Sequence, residues 1–297
     1  MMMQLKILLQ FSRPHTIIGS ICSITALFII AGKNTHFQHH LWLLAGTLIA
    51  ALGCNIFIVG LNQIEDVELD VINKPWLPIA AGTLTMKNAN SIIYVSLFIS
   101  LTAAIFTSLF LFMVIAVIIM IGIIYSVPPL KLKQHHLPAA LCITLVRGFI
   151  VNVGIYLHYR YSLYNDLIIP GQIWCLTIFI MAFSVAIAWF KDLPDTEGDD
   201  RYHIKTLAVL YSRKTALYGG TILVGAAYVY VLLWSWCFIE DIADKKLMLI
   251  VHTTLFIFFL LNFFFVKLSD KRSIKNFYLT FWVFFFAEYI FFALEAL

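Results

Sequence analysis

Long apolar stretches alternate with short polar segments along the whole chain. Stretches without Asp, Glu, Lys or Arg cover residues 14–32, 34–64, 88–130, 167–190, 215–239, 247–266 and 276–287. About 20 apolar residues span a bilayer as a helix, so the stretch over 88–130 predicts two spans with a tight turn near Thr107 and Ser108. A further span over about 138–157 contains one charge, Arg147. The pattern therefore predicts nine membrane-spanning helices.

The composition gives the same fold class. The chain is 62% hydrophobic and 12% charged, with a mean hydropathy of +0.92, which is far more apolar than a soluble domain. Backbone groups in lipid are satisfied only in helices or closed barrels, and these stretches are too long and uniform for barrel strands. We expect an all-α membrane protein formed by a single domain over residues 1–297.

The basic residues predict the orientation of the bundle. Of the 20 Lys and Arg residues, Arg147 lies within a span and few fall on the side opposite the N-terminus: Lys33, Arg160, Lys245 and Lys246. The positive-inside rule then places the N-terminus on the cytoplasmic side, or its equivalent in an organelle. The first 13 residues lack the apolar core of a signal peptide, so we expect the first span to direct insertion.

Acidic residues are concentrated in two short segments, 62–70 and 192–200, which hold nine of the 16 Asp and Glu residues. The segments begin the longest loops on the N-terminal side, at about 63–87 and 191–213, after the second and sixth spans. Crowded carboxylates repel one another unless a cation lies among them. Hard oxygen ligands suit Mg²⁺, which is commonly shared with substrate phosphates, so the two segments suggest a site for a lipid diphosphate.

The spacing within the first segment is helical. Asn62, Asp66 and Asp70 lie four residues apart, which on one continuous helix keeps them within an arc of about 80°. The three side chains are therefore expected on one helix face.

The second segment has a tighter spacing and a bend. Asp192, Asp195 and Asp199 follow an i, i+3, i+7 pattern. Pro194 and Gly198 are poor helix formers, so we expect the chain to bend where the sixth span ends.

The carboxylates have three other interpretations. A solvated loop face is the ordinary one, but the duplication and the position at span ends argue against it. An ion-coupled transporter is a second, although such proteins place coupling residues near the membrane midplane. An intramembrane aspartyl protease, suggested by Gly198-Asp199, would need two aspartates buried within spans.

Other reactive side chains give weaker signals. We read the five cysteines as buried structural thiols, and the histidines as interfacial or packing residues, with His15 the one to test. Glu288, near the far end of the last span, could simply reach the interface.

Five ordered segments are similar to the UbiA superfamily of intramembrane prenyltransferases, and most similar to its homogentisate prenyltransferase branch. They begin Phe11-Ser-Arg-Pro-His, Asn62-Gln-Ile-Glu-Asp, Tyr125-Ser-Val-Pro-Pro, Arg147-Gly-Phe-Ile-Val and Phe190-Lys-Asp-Leu-Pro. The resemblance covers essentially the whole chain. It implies nine helices around an intramembrane cavity, with Asp-rich loops after helices 2 and 6.

The resemblance also assigns residues to the reaction. It implies that Mg²⁺ ions bridging the diphosphate of a prenyl donor are held by Asn62, Asp66, Asp70, Asp192, Asp195 and Asp199. We assign catalytic roles to Asp66, Asp195, Lys131 and Tyr125. Cationic contacts to the donor are expected from Lys74, Lys131, Lys133 and Lys191.

The first loop departs from the family pattern at one charged position. Other branches carry an Arg just before the second Pro of the first loop, where this chain has Leu77, so Lys74 is the candidate replacement.

The acceptor is assigned through the charge within the fifth span. Arg147 needs a partner in the bundle interior because an unpaired guanidinium in a membrane costs a few kcal/mol. An acidic residue, backbone carbonyls, the diphosphate and the carboxylate of homogentisate are the alternatives. Asn152, five residues on and about 140° around an α-helix, is a second hydrogen-bonding candidate.

The implied function is Mg²⁺-dependent prenyl transfer to homogentisate, with phytyl as the first donor and tocopherol synthesis as the context. Geranylgeranyl or solanesyl donors, and chlorophyllide or hydroxybenzoate acceptors, are the alternatives within the family. The expected partners are the prenyl diphosphate, the aromatic acceptor and membrane lipid. We expect no nucleic acid partner. The expected location is a prokaryotic inner or thylakoid membrane, or a plastid membrane if the protein is organelle-encoded.

Overall fold

The computed structural model describes residues 2–33 and 37–296. Within these ranges the protein is helical, and nine helices are long and apolar enough to cross a membrane. In chain order they are α1 (Pro14–Ala31), α2 (Leu41–Glu65), α3 (Met86–Thr107), α4 (Leu109–Ser126), α5 (His136–Tyr164), α6 (Gly171–Phe190), α7 (Arg213–Phe238), α8 (Ile242–Phe265) and α9 (Lys271–Leu294). The predicted fold class and number of spans are confirmed.

Shorter helices complete the structure. Met2–Phe11 precedes α1, and single turns or short helices lie in the loops at Phe37–His40, Val67–Asn73, Leu132–Gln134, Thr196–Arg201 and Leu207–Leu210. Most of them lie at one end of the bundle, in the loops that follow α2, α4 and α6.

The turn between α3 and α4 lies where the sequence predicts it. Ser108 has an extended backbone, and its Oγ accepts a hydrogen bond from the Leu111 amide at 3.0 Å, which caps α4. The His158 ring bridges this turn to α2, since its Nδ1 lies 2.9 Å from Ser108 Oγ and its Nε2 lies 3.1 Å from Thr47 Oγ1. These contacts hold α5 against the α3–α4 pair.

Helix α5 differs from the expected span in length and in winding. It is longer than 138–157, and its central turns over Thr144–Ile155 are π-helical, with i→i+5 hydrogen bonding. Such winding places residues five apart nearly above one another, so the α-helical estimate of 140° between Arg147 and Asn152 is wrong. Extended π-helical turns are rare and often mark functional sites.

Helix α6 forms the centre of the bundle. In its most apolar stretch 67% of the residues are buried, against 17% for α8, whose side chains therefore mostly face lipid. The ring of Phe183 in α6 stacks on Phe179 at 4.8 Å and on Phe281 of α9 at 4.7 Å, between ring centroids. These aromatic contacts join α6 to α9.

Glu288 does not reach the interface. Its side chain is fully buried in α9, and its Oε2 lies 2.9 Å from Nε2 of His252 in α8. His252 Nδ1 faces the Met248 carbonyl at 2.8 Å and donates to it, because a carbonyl oxygen can only accept. The pair attaches the peripheral α8 to the bundle and explains a charge that the sequence left without a role.

Candidate active site

Three loops meet at the end of the bundle where α2, α4 and α6 terminate. The loop after α4 pairs with the loop after α6 through backbone hydrogen bonds of Lys205, whose amide donates to Gln134 O at 2.9 Å. The Lys205 carbonyl accepts from the His136 amide at 3.0 Å. The polar residues of the three loops are thereby held at one rim of the bundle.

The first acidic segment is not one continuous helix. Helix α2 ends at Glu65, and Asp66, with φ −114° and ψ 18°, lies between it and the short helix Val67–Asn73. The expected single helix face over Asn62, Asp66 and Asp70 is therefore wrong. Aspartate is disfavoured within helices, which favours a break at this position, although the Asp66 side chain makes no capping hydrogen bond to the helix that follows.

Two lysines from the loop after α4 contact the first segment. Lys133 Nζ lies 2.7 Å from Asp66 Oδ2 and donates to Asn62 Oδ1 at 3.0 Å. Lys131 Nζ lies 3.7 Å from Asp66 Oδ1 and donates to the Glu65 carbonyl at 3.4 Å. Burial lowers the pKa of Lys133 even though Asp66 opposes the shift.

The second acidic segment bends as its composition predicts. Helix α6 ends at Phe190, and the chain turns before the short helix Thr196–Arg201 begins. Lys191 Nζ lies 3.1 Å from Asp192 Oδ1 and donates to the Tyr125 hydroxyl at 3.3 Å. Burial opposes the charge on Lys191, but Asp192 raises the pKa of this lysine well above its usual value.

The residues that follow the first acidic segment contact the second segment directly. Lys74, from the loop after α2, forms an ion pair with Asp195. Asn73 Nδ2 donates to Asp199 Oδ1 at 3.1 Å, and Asn73 Oδ1 accepts from the Gly198 amide at 3.0 Å. Leu77 is buried and carries no charge. The positive charge that faces Asp195 from this loop therefore comes from Lys74.

Asp70 and Asp199 have no lysine within ion-pair distance, and both are buried. Asp70 Oδ2 has no hydrogen-bond partner in the described structure. Burial raises the pKa of Asp70 to about 6, although Lys74 and Arg13 oppose the shift. Burial, together with Asp192 and Asp195, raises the pKa of Asp199 to about 8. The rim therefore has fewer cations than its carboxylates require.

The donor set suits a hard divalent cation. Asn62 and the five aspartates supply oxygen ligands only, and Asp70 Oδ2 is a buried acceptor without a donor. In the described ranges no three His, Cys, Asp or Glu side chains converge as they would around an ion. Lysines hold three of the aspartates instead.

Arg147 lies in a cavity between the helices, and none of the acidic rim residues lines this cavity. The cavity has a volume of about 170 Å³ and is lined by α1, α2, α4, α5 and α9. The Arg147 guanidinium lies 4.4 Å from the Trp282 ring centroid and 5.7 Å from that of Phe285. Its Nη1 is buried and has no hydrogen-bond partner among the described residues. The partner of this charge is thus a pair of aromatic faces, which the sequence did not suggest.

Asn152 is fully buried beneath Arg147. Its Nδ2 donates to the Gly148 carbonyl at 2.7 Å, and its Oδ1 accepts from the Tyr289 hydroxyl at 2.8 Å. The side-chain amide of Asn152 therefore has hydrogen-bond partners within the protein. Its side chain does not lie at the acidic rim.

Sequence reasoning missed Asn73, Arg13 and Trp282. Asn73 lies inside the first acidic loop and Arg13 inside the Ser-Arg-Pro-His segment, so the matching segments contained a signal for both. Trp282 is one of many aromatic residues, and nothing in the sequence distinguishes it. His15 packs on the same ring, with centroids 5.0 Å apart.

Known proteins resemble the chain over almost its full length. The sequence model of the UbiA prenyltransferase family matches residues 20–287. Homogentisate phytyltransferase from Synechocystis sp. is 37% identical and aligns over 96% of this chain and 94% of its own length. The chloroplastic homogentisate solanesyltransferase of Arabidopsis thaliana is 34% identical, over 95% of this chain and 75% of its own length.

A solved structure shares the fold. A UbiA homolog from Archaeoglobus fulgidus, bound to GPP and Mg²⁺, superposes with a TM-score of 0.63 and covers 96% of this chain and 99% of its own. The sequence identity is 18%, so this likeness establishes the nine-helix fold alone.

The contact between the acidic loops depends on a glycine. A Cβ at Gly198 would collide with the Asn73 side chain, which bridges the two segments. We expect Gly198→Ala to destabilise the protein by roughly 1–3 kcal/mol, the range for overpacked sites. Thermal unfolding of the purified protein in detergent measures the change.

Gly225→Ala is the matched control. Its added Cβ would meet Phe256 at 3.6 Å, an ordinary contact, and alanine is the better helix former by about 1 kcal/mol. Equal or higher Tm values for both variants would show that the Asn73 bridge does not constrain the loops.

Proposed function

The chain belongs to the UbiA prenyltransferase family, and we propose that it transfers a phytyl group from phytyl diphosphate to homogentisate. The full-length similarity to a homogentisate phytyltransferase carries this proposal. The acidic rim, where the loops after α2 and α6 meet, and the largely apolar cavity among the helices support it. The solanesyltransferase relative makes solanesyl diphosphate the second candidate donor.

The rim residues would bind the diphosphate. Lys74, Lys131, Lys133 and Lys191 now neutralise aspartates, and a diphosphate entering the rim offers them oxygens of higher charge. We propose that Asp66 and Asp195 exchange these lysines for metal and that Lys131 then contacts the leaving group. Tyr125, already hydrogen-bonded to Lys191, would donate its hydroxyl to the same group.

Metal binding at the rim completes this site. We propose that Mg²⁺ is held by Asn62, Asp66, Asp70, Asp192, Asp195 and Asp199. When bound, the metal supplies positive charge that stabilises the departing diphosphate. The buried carboxylates of Asp70 and Asp199, which no lysine neutralises, give the strongest reason to expect a cation there.

The reaction joins the allylic carbon of the donor to a ring carbon of the acceptor. The bond from that allylic carbon to the diphosphate oxygen breaks, and the ring carbon loses its proton. The carboxylate of homogentisate leaves as CO₂, and the remaining methylene takes up a proton. Water must be excluded during these reaction steps because it would capture the allylic cation. The mainly apolar and aromatic lining of the cavity serves that purpose.

Arg147 would hold the acceptor. Its unpaired Nη1 and its place in the cavity support a contact to the carboxylate of homogentisate. A guanidinium fork matches a carboxylate in shape and charge. Asn152 would act through the Arg147 backbone, since its Nδ2 lies 3.4 Å from the Arg147 carbonyl.

We further propose one domain over residues 1–297 in a thylakoid, plastid or prokaryotic inner membrane. The family match over 20–287 supports the single domain, and the Synechocystis and chloroplastic relatives support the location. The basic loops at the acidic rim favour the cytoplasmic or stromal side for the diphosphate site.

Product analysis tests the central proposal. Membranes containing the protein are given homogentisate and an equimolar mixture of phytyl, geranylgeranyl and solanesyl diphosphates, and the products are identified by mass spectrometry. We expect phytylated, decarboxylated product in excess. Asp66→Asn and Asp195→Asn should lower its rate by at least about 100-fold, as when a main electrostatic stabiliser is removed.

Asp200→Asn is the control because Asp200 is exposed in the same segment. It should retain the wild-type rate. Full activity in EDTA, or in both rim variants, would contradict the mechanism and revive the ion-coupled transporter, for which ion flux in liposomes is the direct assay.

Metal binding should depend on pH in a defined window. Both carboxyls have a pKa above the usual value in the folded protein. At pH 6 Asp199, with a pKa of about 8, holds its proton, and Asp70, with a pKa of about 6, is about half protonated. The metal-free protein then loses stability as pH rises toward 8, because buried charge replaces a neutral acid. Mg²⁺ should bind at least about tenfold more tightly at pH 8.5 than at pH 6.

Thermal shift titration with MgCl₂ at the two pH values measures this difference. Asp199→Asn should remove most of it. A Mg²⁺ affinity independent of pH in the wild type would argue against metal binding by Asp70 and Asp199.

Arg147→Lys tests the acceptor contact. Lysine keeps the charge but loses the fork, so the apparent KM for homogentisate should rise by about tenfold, while that for phytyl diphosphate changes little. Steady-state kinetics with each substrate varied in turn gives both values. An unchanged homogentisate KM in the folded variant would remove Arg147 from the acceptor site.

Sidedness is tested by labelling. Cysteines replacing the exposed Glu68 and Glu197, in a background without the native cysteines, should react with an impermeant maleimide from the N-terminal side. A cysteine replacing Lys33 should react from the other side. Labelling of Glu68 and Glu197 positions from different faces would be incompatible with a shared site.

A further inference from the structure

A polar group lies on the wall of the cavity formed by α1 and α2. Asn55 of α2 donates through Nδ2 to Ser20 Oγ at 3.0 Å and to the Thr16 carbonyl at 3.3 Å. Its Oδ1 lies 3.0 Å from Thr16 Oγ1, which can donate to it. All three residues line the same cavity as Arg147, whose other lining residues are largely apolar.

Every polar hydrogen in this group already points to a protein oxygen. The two Nδ2 hydrogens of Asn55 are used as above, and the Ser20 hydroxyl donates to the Thr16 carbonyl at 3.1 Å. The Thr16 hydroxyl has three acceptors within reach, at Ser12 O, Arg13 O and Asn55 Oδ1. The Asn55 amide orientation is fixed because the Thr16 carbonyl can only accept. What remains are free lone pairs on Asn55 Oδ1, Ser20 Oγ and Thr16 Oγ1.

The cavity therefore offers hydrogen-bond acceptors on α1 and α2 and donors on α5. Arg147 has five N–H donors and no acceptor, and its Nη1 is buried without a partner. A ligand that fills both walls must present an anion to Arg147 and a hydroxyl hydrogen to Asn55, Ser20 or Thr16. The volume of about 170 Å³ is small beside the roughly 300–1,000 Å³ of drug-sized sites, and fits one aromatic ring.

We propose that Asn55, Ser20 and Thr16 form the subsite that recognises a phenolic hydroxyl of the acceptor, while Arg147 binds its carboxylate. The inference rests on the proposed function and restricts the class of acceptor that the enzyme takes. It requires a hydroxyaryl carboxylate acceptor and assigns its selection to a polar network on α1 and α2. Unhydroxylated aryl acetates lack the hydrogen that this wall accepts, so they leave its lone pairs unpaired.

Binding of unreactive ligands tests the subsite separately from turnover. The full-length protein in detergent is saturated with Mg²⁺ and a phytyl thiolodiphosphate, which resists ionisation. Isothermal titration then gives Kd for phenylacetate, 2-hydroxyphenylacetate and 3-hydroxyphenylacetate. We expect at least one hydroxylated ligand to bind about tenfold more tightly than phenylacetate, as for one hydrogen bond to a buried acceptor.

Asn55→Leu should abolish this preference and leave the Kd of phenylacetate nearly unchanged. Arg147→Gln should weaken all three carboxylates and keep the preference. Asn262→Leu is the matched control, since Asn262 bonds to the Phe277 carbonyl and does not line the cavity. Thr16→Val and Ser20→Ala make the same test if Asn55→Leu does not fold.

Each outcome separates this subsite from the wider proposal. A tenfold preference that survives in Asn55→Leu, or its absence in the wild type, overturns the subsite even if homogentisate is prenylated. A preference that Asn55→Leu abolishes, in a protein that forms no product from homogentisate, supports the subsite and rejects homogentisate as the acceptor.

Discussion

Charge compensation at the edge of the membrane is the constraint on which the site depends. The rim collects carboxylates from two segments more than a hundred residues apart, and burial disfavours the charged form of those that lie inside the protein, such as Asp70 and Asp199. Lysines on neighbouring loops reduce that penalty and in doing so fix the loops to one another, as Lys74 does with Asp195 and Lys133 with Asp66. The same pairs keep the rim assembled before any diphosphate or metal arrives. A diphosphate that bound together with a divalent cation could then take over the lysines while the cation took the aspartates, so that neither group would be left unpaired.

The breaks in α2 and α6 are part of this arrangement. A straight continuation of α2 would carry Asp70 further along the helix axis, whereas the break at Asp66 turns Val67–Asn73 toward Thr196–Arg201. Asn73 can therefore bond both to Asp199 and to the Gly198 amide. Gly198 is necessary because a side chain there would occupy the place of the Asn73 amide.

The sequence predicted what lipid and local chemistry dictate. Nine spans, the Ser108 turn and the bend after Phe190 follow from span length, capping and poor helix formers, each of which acts over a few residues. The π-helical turns that carry Arg147 and the His252–Glu288 pair make contacts with residues distant in sequence. No local pattern in one chain specifies them. Lys74 and Lys133 lie between these two cases. The sequence shows that acidic and basic residues are concentrated in these loops, but it does not show that Lys74 pairs with Asp195 and Lys133 with Asp66.

The position of Arg147 in the cavity has a chemical consequence for the proposed reaction. Among the described residues the Arg147 guanidinium lies against the faces of Trp282 and Phe285 and has no carboxylate in an ion pair, so its charge is not neutralised by the protein there. A positive charge there disfavours an allylic cation nearby, because Coulomb repulsion is weakly screened at low dielectric. A carboxylate bound to Arg147 cancels that repulsion and at the same time places the aromatic nucleophile. The electrostatics of the cavity would then favour ionisation of the donor most when the acceptor is present, which is also when the cation is least exposed to water.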